Sequence, residues 1–180
     1  MTEAPIAADW WHEDGESAGA PIEVHHHVTA IVVSKNGAEW LPRTLQSLRA
    51  QTRPVDQMVA VDVASDDASV TLLQSAGAKF VLPVPADTSQ GRALAIAESQ
   101  ATKATGNVEW MWIIHDDSAP EPQALEKLLH AANLYPQAAV IGCKVVDWEH
   151  GRHVLEVGSS VTAIGTRFTG LERFERDQGQ

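Results

Sequence analysis

Hydrophobic positions along this chain follow two alternating rhythms. The run Val28-Thr29-Ala30-Ile31-Val32-Val33 is apolar and β-branched almost throughout, the pattern of a strand covered on both faces. A polar turn, Ser34-Lys35-Asn36-Gly37, leads into Leu41, Leu45 and Leu48 at helical spacing. Pro42 is compatible with that helix because it lies in the first turn. After Pro54, residues 58–63 predict a second buried strand, and Ser65-Asp66-Asp67 can cap a short helix carrying Val70, Leu72 and Leu73. Residues 78–82 predict a third strand, 90–103 an alanine-rich helix, and 109–114 a fourth strand ending in His115-Asp116-Asp117. Pro120 and Pro122 open a helix with Leu125, Leu128, Leu129 and Ala132 on one stripe, and 138–146 predicts a fifth strand. Residues 154–157 and 160–164 predict short antiparallel strands.

Strands alternating with helices imply right-handed crossovers, hence an α/β fold with a mainly parallel sheet and helices on both faces. Ligands in such sheets bind beyond the carboxyl ends of the strands. That rule gathers three turns on one edge: Ser34-Lys35-Asn36, Asp62 with Ser65-Asp66-Asp67, and Asp116-Asp117.

Charge narrows the partners. Thirteen basic against 24 acidic residues give a net charge of −11, with no Lys/Arg cluster to displace counterions from phosphates, so nucleic acid is excluded as a partner. Residues 1–24 hold six acidic side chains and no Lys or Arg, which predicts a flexible acidic arm, docked through Trp10-Trp11, ahead of a domain over 25–180. His25-His26-His27 enters a strand, where successive side chains diverge, so the three are not expected to share a metal. Cys143 is alone and fits a reducing cytoplasm. The start lacks the basic and apolar regions of a secretory signal, and no apolar run approaches the roughly 18 residues that cross a bilayer.

The candidate chemistry lies on the carboxyl edge. Two adjacent carboxylates after an apolar strand repel unless a cation or polar groups compensate them, so Asp116-Asp117 reads as a metal or hydroxyl site, or as an N-cap for the helix at Pro120. Asp62, within an apolar strand end, needs a partner: either a nucleoside or its own turn at Ala64-Ser65. Gly91-Arg92 opens a helix and suits an anion, or is a glycine start with a solvated arginine.

Four ordered segments resemble the inverting family 2 glycosyltransferases. They are 28–36 with Leu45-Gln46-Ser47-Leu48 and Gln51-Thr52-Arg53-Pro54; Val61-Asp62-Val63-Ala64-Ser65-Asp66-Asp67; Ser89-Gln90-Gly91-Arg92-Ala93-Leu94-Ala95; and Ile113-Ile114-His115-Asp116-Asp117 with Pro120. The resemblance implies a GT-A fold and a nucleoside-diphosphate sugar donor, with Mg²⁺ or Mn²⁺ on the diphosphate. It makes Asp117 the metal ligand, Asp116 a ribose or sugar contact, and Asp62 a nucleoside contact. The backbone at Val33 and Ser34 would line the base pocket, with Asn36, Ser65, Gly91 and Arg92 completing the donor site.

Three positions depart from the family pattern: Val63 and His115 where acidic residues are common, and Ile96 where an arginine is usual. A Gly-x-Gly-x-x-Gly turn, a Walker loop and the glycine-rich loop of sugar nucleotidyltransferases are all missing. The resemblance implies transfer to a cell-envelope glycan or lipid-linked acceptor, at the cytoplasm or the cytoplasmic membrane face. Membrane contact is expected only through segments outside these residues. No segment matches the family's general base, so the chain is expected to be a donor-binding part of a longer enzyme, inactive by itself. The alternative is a non-catalytic module that binds a sugar or partner.

Overall fold

A computed structural model describes residues 24–105, 108–148, 151–158, 160–168, 171–172 and 175–177. The acidic arm, apart from Val24, lies outside the described residues. Four strands, β1 (His26–Ser34), β2 (Gln57–Val63), β3 (Phe80–Val84) and β4 (Val108–His115), form one parallel sheet in the order β3-β2-β1-β4. The helices between them are α1 (Leu41–Arg49), α2 (Ser69–Ser75) and α3 (Gln90–Gln100), and α4 (Ala124–Leu134) follows β4.

The two-residue period of the strands sorts their side chains onto two cores. Ile31, Val59, Val61, Val63 and Val84 pack with Ala93 and Ala97 of α3, small residues one helical turn apart. On the opposite face Val32, Ala60 and Ile114 pack with Leu41, Leu45 and Leu48 of α1 and Leu73 of α2. The apolar stripe of α4 lies over Val28, Trp110 and Trp112 on the α1 side. No side chain at the N-cap residue Gln123 caps α4; instead the buried Gln51 accepts the Leu125 N–H through Oε1 (3.1 Å) and donates through Nε2 to the Glu121 carbonyl (2.8 Å).

The histidine run behaves as strand-entry residues. His26 meets Asn133 and Trp110, whereas His27 meets Glu109.

Several boundaries move. Most clearly, 138–146 is not a fifth parallel strand. Only Val145–Val146 (β5) is extended into a ladder, pairing antiparallel with β6 (Val154–Glu156). A doubly buried strand needs cover on both faces. Here Val140 is 88% exposed, Gly142 offers no side chain, and Ile141 alone lines the space between β4 and α4. β7 (Ser160–Val161) pairs antiparallel with β8 (Arg167–Phe168), the latter unexpected from sequence. Pro120 and Pro122 precede α4 rather than opening it, so neither Asp116 nor Asp117 caps that helix. The segment after β5 returns to α1, where Trp148 meets Trp40 edge-on (5.8 Å between ring centroids) and Arg43 lies over the Trp148 ring. Among the described residues no helix is long and apolar enough to cross a membrane.

Burial predicts a contrast. Leu73→Ala, at a fully buried site, should lower unfolding free energy by about 2–5 kcal/mol. Val140→Ala should change it by less than about 0.5 kcal/mol. Urea unfolding of both variants measures the difference, and equal costs would contradict this core assignment.

Candidate functional site

The carboxyl ends of β1, β2 and β4 meet as the parallel order requires. Asp116 follows β4 and turns inward, where its Oδ2 accepts the Ser34 hydroxyl (2.7 Å) and the Lys35 backbone N–H (3.2 Å). Its carbonyl accepts the Thr44 hydroxyl from the first turn of α1 (2.8 Å). Gly37 closes this slot: a Cβ there would stand 2.4 Å from Asp116 Oδ2 and 2.7 Å from Ser34 Oγ. Asp117 takes the other direction. It is exposed and has no hydrogen-bond or ion-pair partner among the described residues. The adjacent carboxylates are thus separated in role, one compensated by donors and one presented to solvent.

Asp62 sits differently. It is 3% exposed and pairs in register with Ser34, on the face of α1 and α2. Its Oδ2 accepts the Ser65 N–H (3.1 Å), as the local-turn reading anticipates, while Oδ1 is buried with no partner among the described residues. Ala64 carries the turn at φ +50°, a left-handed conformation that costs a non-glycine residue roughly 1–2 kcal/mol. Ser65 and Asn36 come together: the Asn36 N–H donates to Ser65 Oγ (2.9 Å), and Asn36 Oδ1 accepts the Asp66 N–H (2.9 Å).

On the α3 face of the same edge lies a cleft of about 170 Å³, lined by Val33, Lys35, Val63, Ala86, Thr88, Gln90 and His115. Lys35 Nζ donates to the Ala86 carbonyl (3.0 Å), and the Gln90 amide nitrogen meets His115 Nε2 (3.1 Å). Among the described residues no carboxylate lines this cleft. Ser89 caps α3 by accepting the Arg92 N–H, which leaves Gly91 and Arg92 exposed at the helix start, directly after Gln90. The Arg92 guanidinium has no partner among the described residues.

A family model, Glycosyl transferase family 2, matches residues 29–158, well over half of the chain. The chain belongs to this family. No curated protein matches it in sequence. Among solved structures, S. aureus TarS residues 1–349 in complex with UDP is similar in fold, with a TM-score of 0.50 and 19% identity over 61% of this chain and 33% of TarS. A second structure of S. aureus TarS residues 1–349 matches with a TM-score of 0.50 and 18% identity, over 73% of this chain and 41% of the other. The chain therefore spans about a third to two fifths of the solved chains it matches.

Within this glycosyltransferase-family chain, the sequence-derived residues form two hydrogen-bonded pairs and a set along the cleft, with Asp62 and Asp117 standing apart. Ser34 joins Asp116 and Asn36 joins Ser65, Val33 lines the cleft, and Gly91 and Arg92 flank it at the start of α3. Asp62 lies beneath its turn rather than in the cleft wall. Lys35, Thr88, Gln90 and His115 also line the cleft, beyond the residues expected to bind the donor. Lys35, Gln90 and His115 carry a usable signal, since they adjoin the candidate residues Ser34, Gly91 and Asp116. Thr88 carries none, because a polar side chain ahead of a helix is commonplace.

Two expectations follow. Gly37→Ala forces a methyl group against Asp116 and Ser34 and should cost about 1–3 kcal/mol, whereas Gly91→Ala meets nothing within 4 Å and should be neutral or stabilising by up to about 1 kcal/mol. Thermal unfolding of the pair checks this, and a tolerated Gly37→Ala would contradict the described slot.

The second expectation concerns pH. Asp67 is held below its ordinary carboxyl value near 3.8, first by the Ser69 hydroxyl and then by the Ala38 N–H. A carboxyl lowered on folding stabilises fully above its unfolded value, and that stabilisation is lost as pH falls through the lower folded one. Asp67→Asn should therefore destabilise at neutral pH, with the deficit shrinking below about pH 4. Urea midpoints at neutral and acid pH test the sign; a deficit that grows on acidification would contradict it.

Proposed function

We propose that residues 25–180 form the donor domain of an inverting glycosyltransferase, binding a nucleoside-diphosphate sugar on the carboxyl edge with Mg²⁺ or Mn²⁺ at Asp117. The observation that carries this reading is the division of labour between the two aspartates: Asp116 is held by Ser34 and Lys35, while Asp117 remains exposed on the same edge. Membership of the glycosyltransferase family supports it, and UDP is the first nucleotide to test because the similar TarS structure carries it.

The donor set fits a hard divalent ion. Asp117 would supply one oxygen ligand, and among the described residues no three His, Cys, Asp or Glu side chains gather to form a complete cage. Mg²⁺ commonly takes one or two carboxylates and completes its shell from phosphate oxygens and water. So held, the ion would offset the charge of the departing diphosphate.

The remaining roles belong to the chain itself. Val33 and Ser34 would border the base, and Asp116 the ribose or sugar. Asn36 and Ser65 would hold the rim, with Arg92 and Gly91 facing anionic oxygens at the start of α3. Asp62 would fix the turn beside the nucleoside, its unpartnered Oδ1 being the acceptor left for a ligand or water donor.

Inverting transfer joins an acceptor oxygen to the anomeric carbon as the bond to the diphosphate breaks, and the acceptor's proton passes to a general base. Of the acidic residues that follow Asp117, Asp147 is engaged in its own turn, accepting the backbone N–H groups of Arg152 and His153. We therefore propose that these 180 residues bind donor without transferring sugar, in keeping with the much longer chains they match. The proposed acceptor is a glycan or lipid of the cell envelope, and the proposed compartment is the cytoplasm or the cytoplasmic membrane face.

Calorimetry with Mn²⁺ and a panel of nucleoside diphosphates tests the reading. Binding should require the metal and vanish in Asp117→Asn, and nucleotide sugar with acceptor should yield no turnover near the median enzyme rate of roughly 10 per second. Equal binding by the variant, or indifference to every nucleotide, would defeat it, the latter in favour of a non-catalytic module.

A further inference from the structure

Behind Asp116 stands a second set of hydrogen bonds that joins the β1–α1 and β2–α2 loops. The Gly37 N–H donates to Ser69 Oγ (2.9 Å), and the Ala38 N–H donates to Asp67 Oδ2 (2.9 Å). Asp67 Oδ1 in turn accepts both the Ser69 hydroxyl and the Ser69 N–H. A hydroxyl has one proton to give. Because Ser69 gives it to Asp67, its lone pairs are left for Gly37, so the direction of the relay is fixed. Ser69 is fully buried, where a missing partner costs more than it would in water.

Gly37 is also the residue whose missing side chain makes room for Asp116. The segment held by Ser69 is therefore one wall of the slot in which the Asp116 carboxylate sits. Its other contacts are Ser34, at the end of β1, and Lys35, which opens the loop that carries Gly37.

We propose that Asp67 and Ser69 are positioning residues for Asp116, setting the geometry of the Asp116-Asp117 pair through Gly37 and thereby the affinity for the metal-bound nucleoside diphosphate. This rests on the donor reading above for its functional consequence, but not for its structural one. The lowered carboxyl of Asp67 agrees with a charged acceptor at the head of the relay.

The Lys35 backbone N–H, which donates to Asp116 Oδ2, reports the carboxylate's position without any ligand. Asp67→Asn sets an amide NH₂ against either the Ala38 N–H or Ser69, and Ser69→Ala removes the central hydroxyl. Leu72→Ala, on the same helix but outside the relay, controls for general loosening of the fold.

In ¹H–¹⁵N spectra both relay variants should shift the Lys35 amide and speed its hydrogen exchange. Each should also weaken Mn²⁺-dependent UDP binding by roughly tenfold, the effect of one hydrogen bond worth about 1.4 kcal/mol. Leu72→Ala should do neither. An unmoved Lys35 amide in both variants overturns the proposal, as does a moved amide with undiminished UDP binding, or an equal loss in Leu72→Ala. If wild type binds no nucleotide while the amide still moves, the relay stands and the donor reading falls.

Discussion

The hydrogen bond from Ser34 to Asp116 spans two neighbouring parallel strands and decides what their shared edge can do. Without it, two consecutive carboxylates would repel each other and point wherever solvent allowed. With it, one is fixed and largely compensated, and the next is left to face outward. The demands of this contact spread through the surrounding loops. Gly37 has to lack a side chain, and the first turn of α1 has to bring Thr44 to the Asp116 carbonyl. The β2–α2 turn then has to hold the β1–α1 loop in place, which it does through the bonds of Ser65 and Asp66 to Asn36, with Asn36 in one loop and Ala64 in the other both left-handed.

Much of the framework was legible because it depends on local pattern. The β-branched runs of β1 and β2 and the leucine spacing of α1 follow from burial, and burial leaves a periodic mark. The carboxyl-edge rule then placed Ser34, Asp62 and Asp116 side by side, and the register does pair Ser34 with Asp62 and Val33 with His115.

What remained illegible depends on contacts between distant residues. Residues 138–146 carry the composition of a strand, yet composition cannot say whether a neighbour is present to cover both faces. Pro120 and Pro122 resemble helix openers, but the start of α4 is organised by Gln51, more than seventy positions earlier. The cleft residue Thr88 becomes notable only once the fold brings it to the edge that Val63 and His115 also line. Asp62 shows the same limit from the other side: its position at a strand end was readable, but the face on which it is buried was set by strand register.

Paramagnetic relaxation by Mn²⁺ tests the central claim most directly, because it locates the ion without requiring turnover. In ¹H–¹⁵N spectra of the chain with UDP and trace Mn²⁺, signal loss should centre on Asp117, extend to Asp116 and Lys35, and depend on the nucleotide. Broadening that ignores UDP, or that centres away from the ends of β1 and β4, would contradict the account.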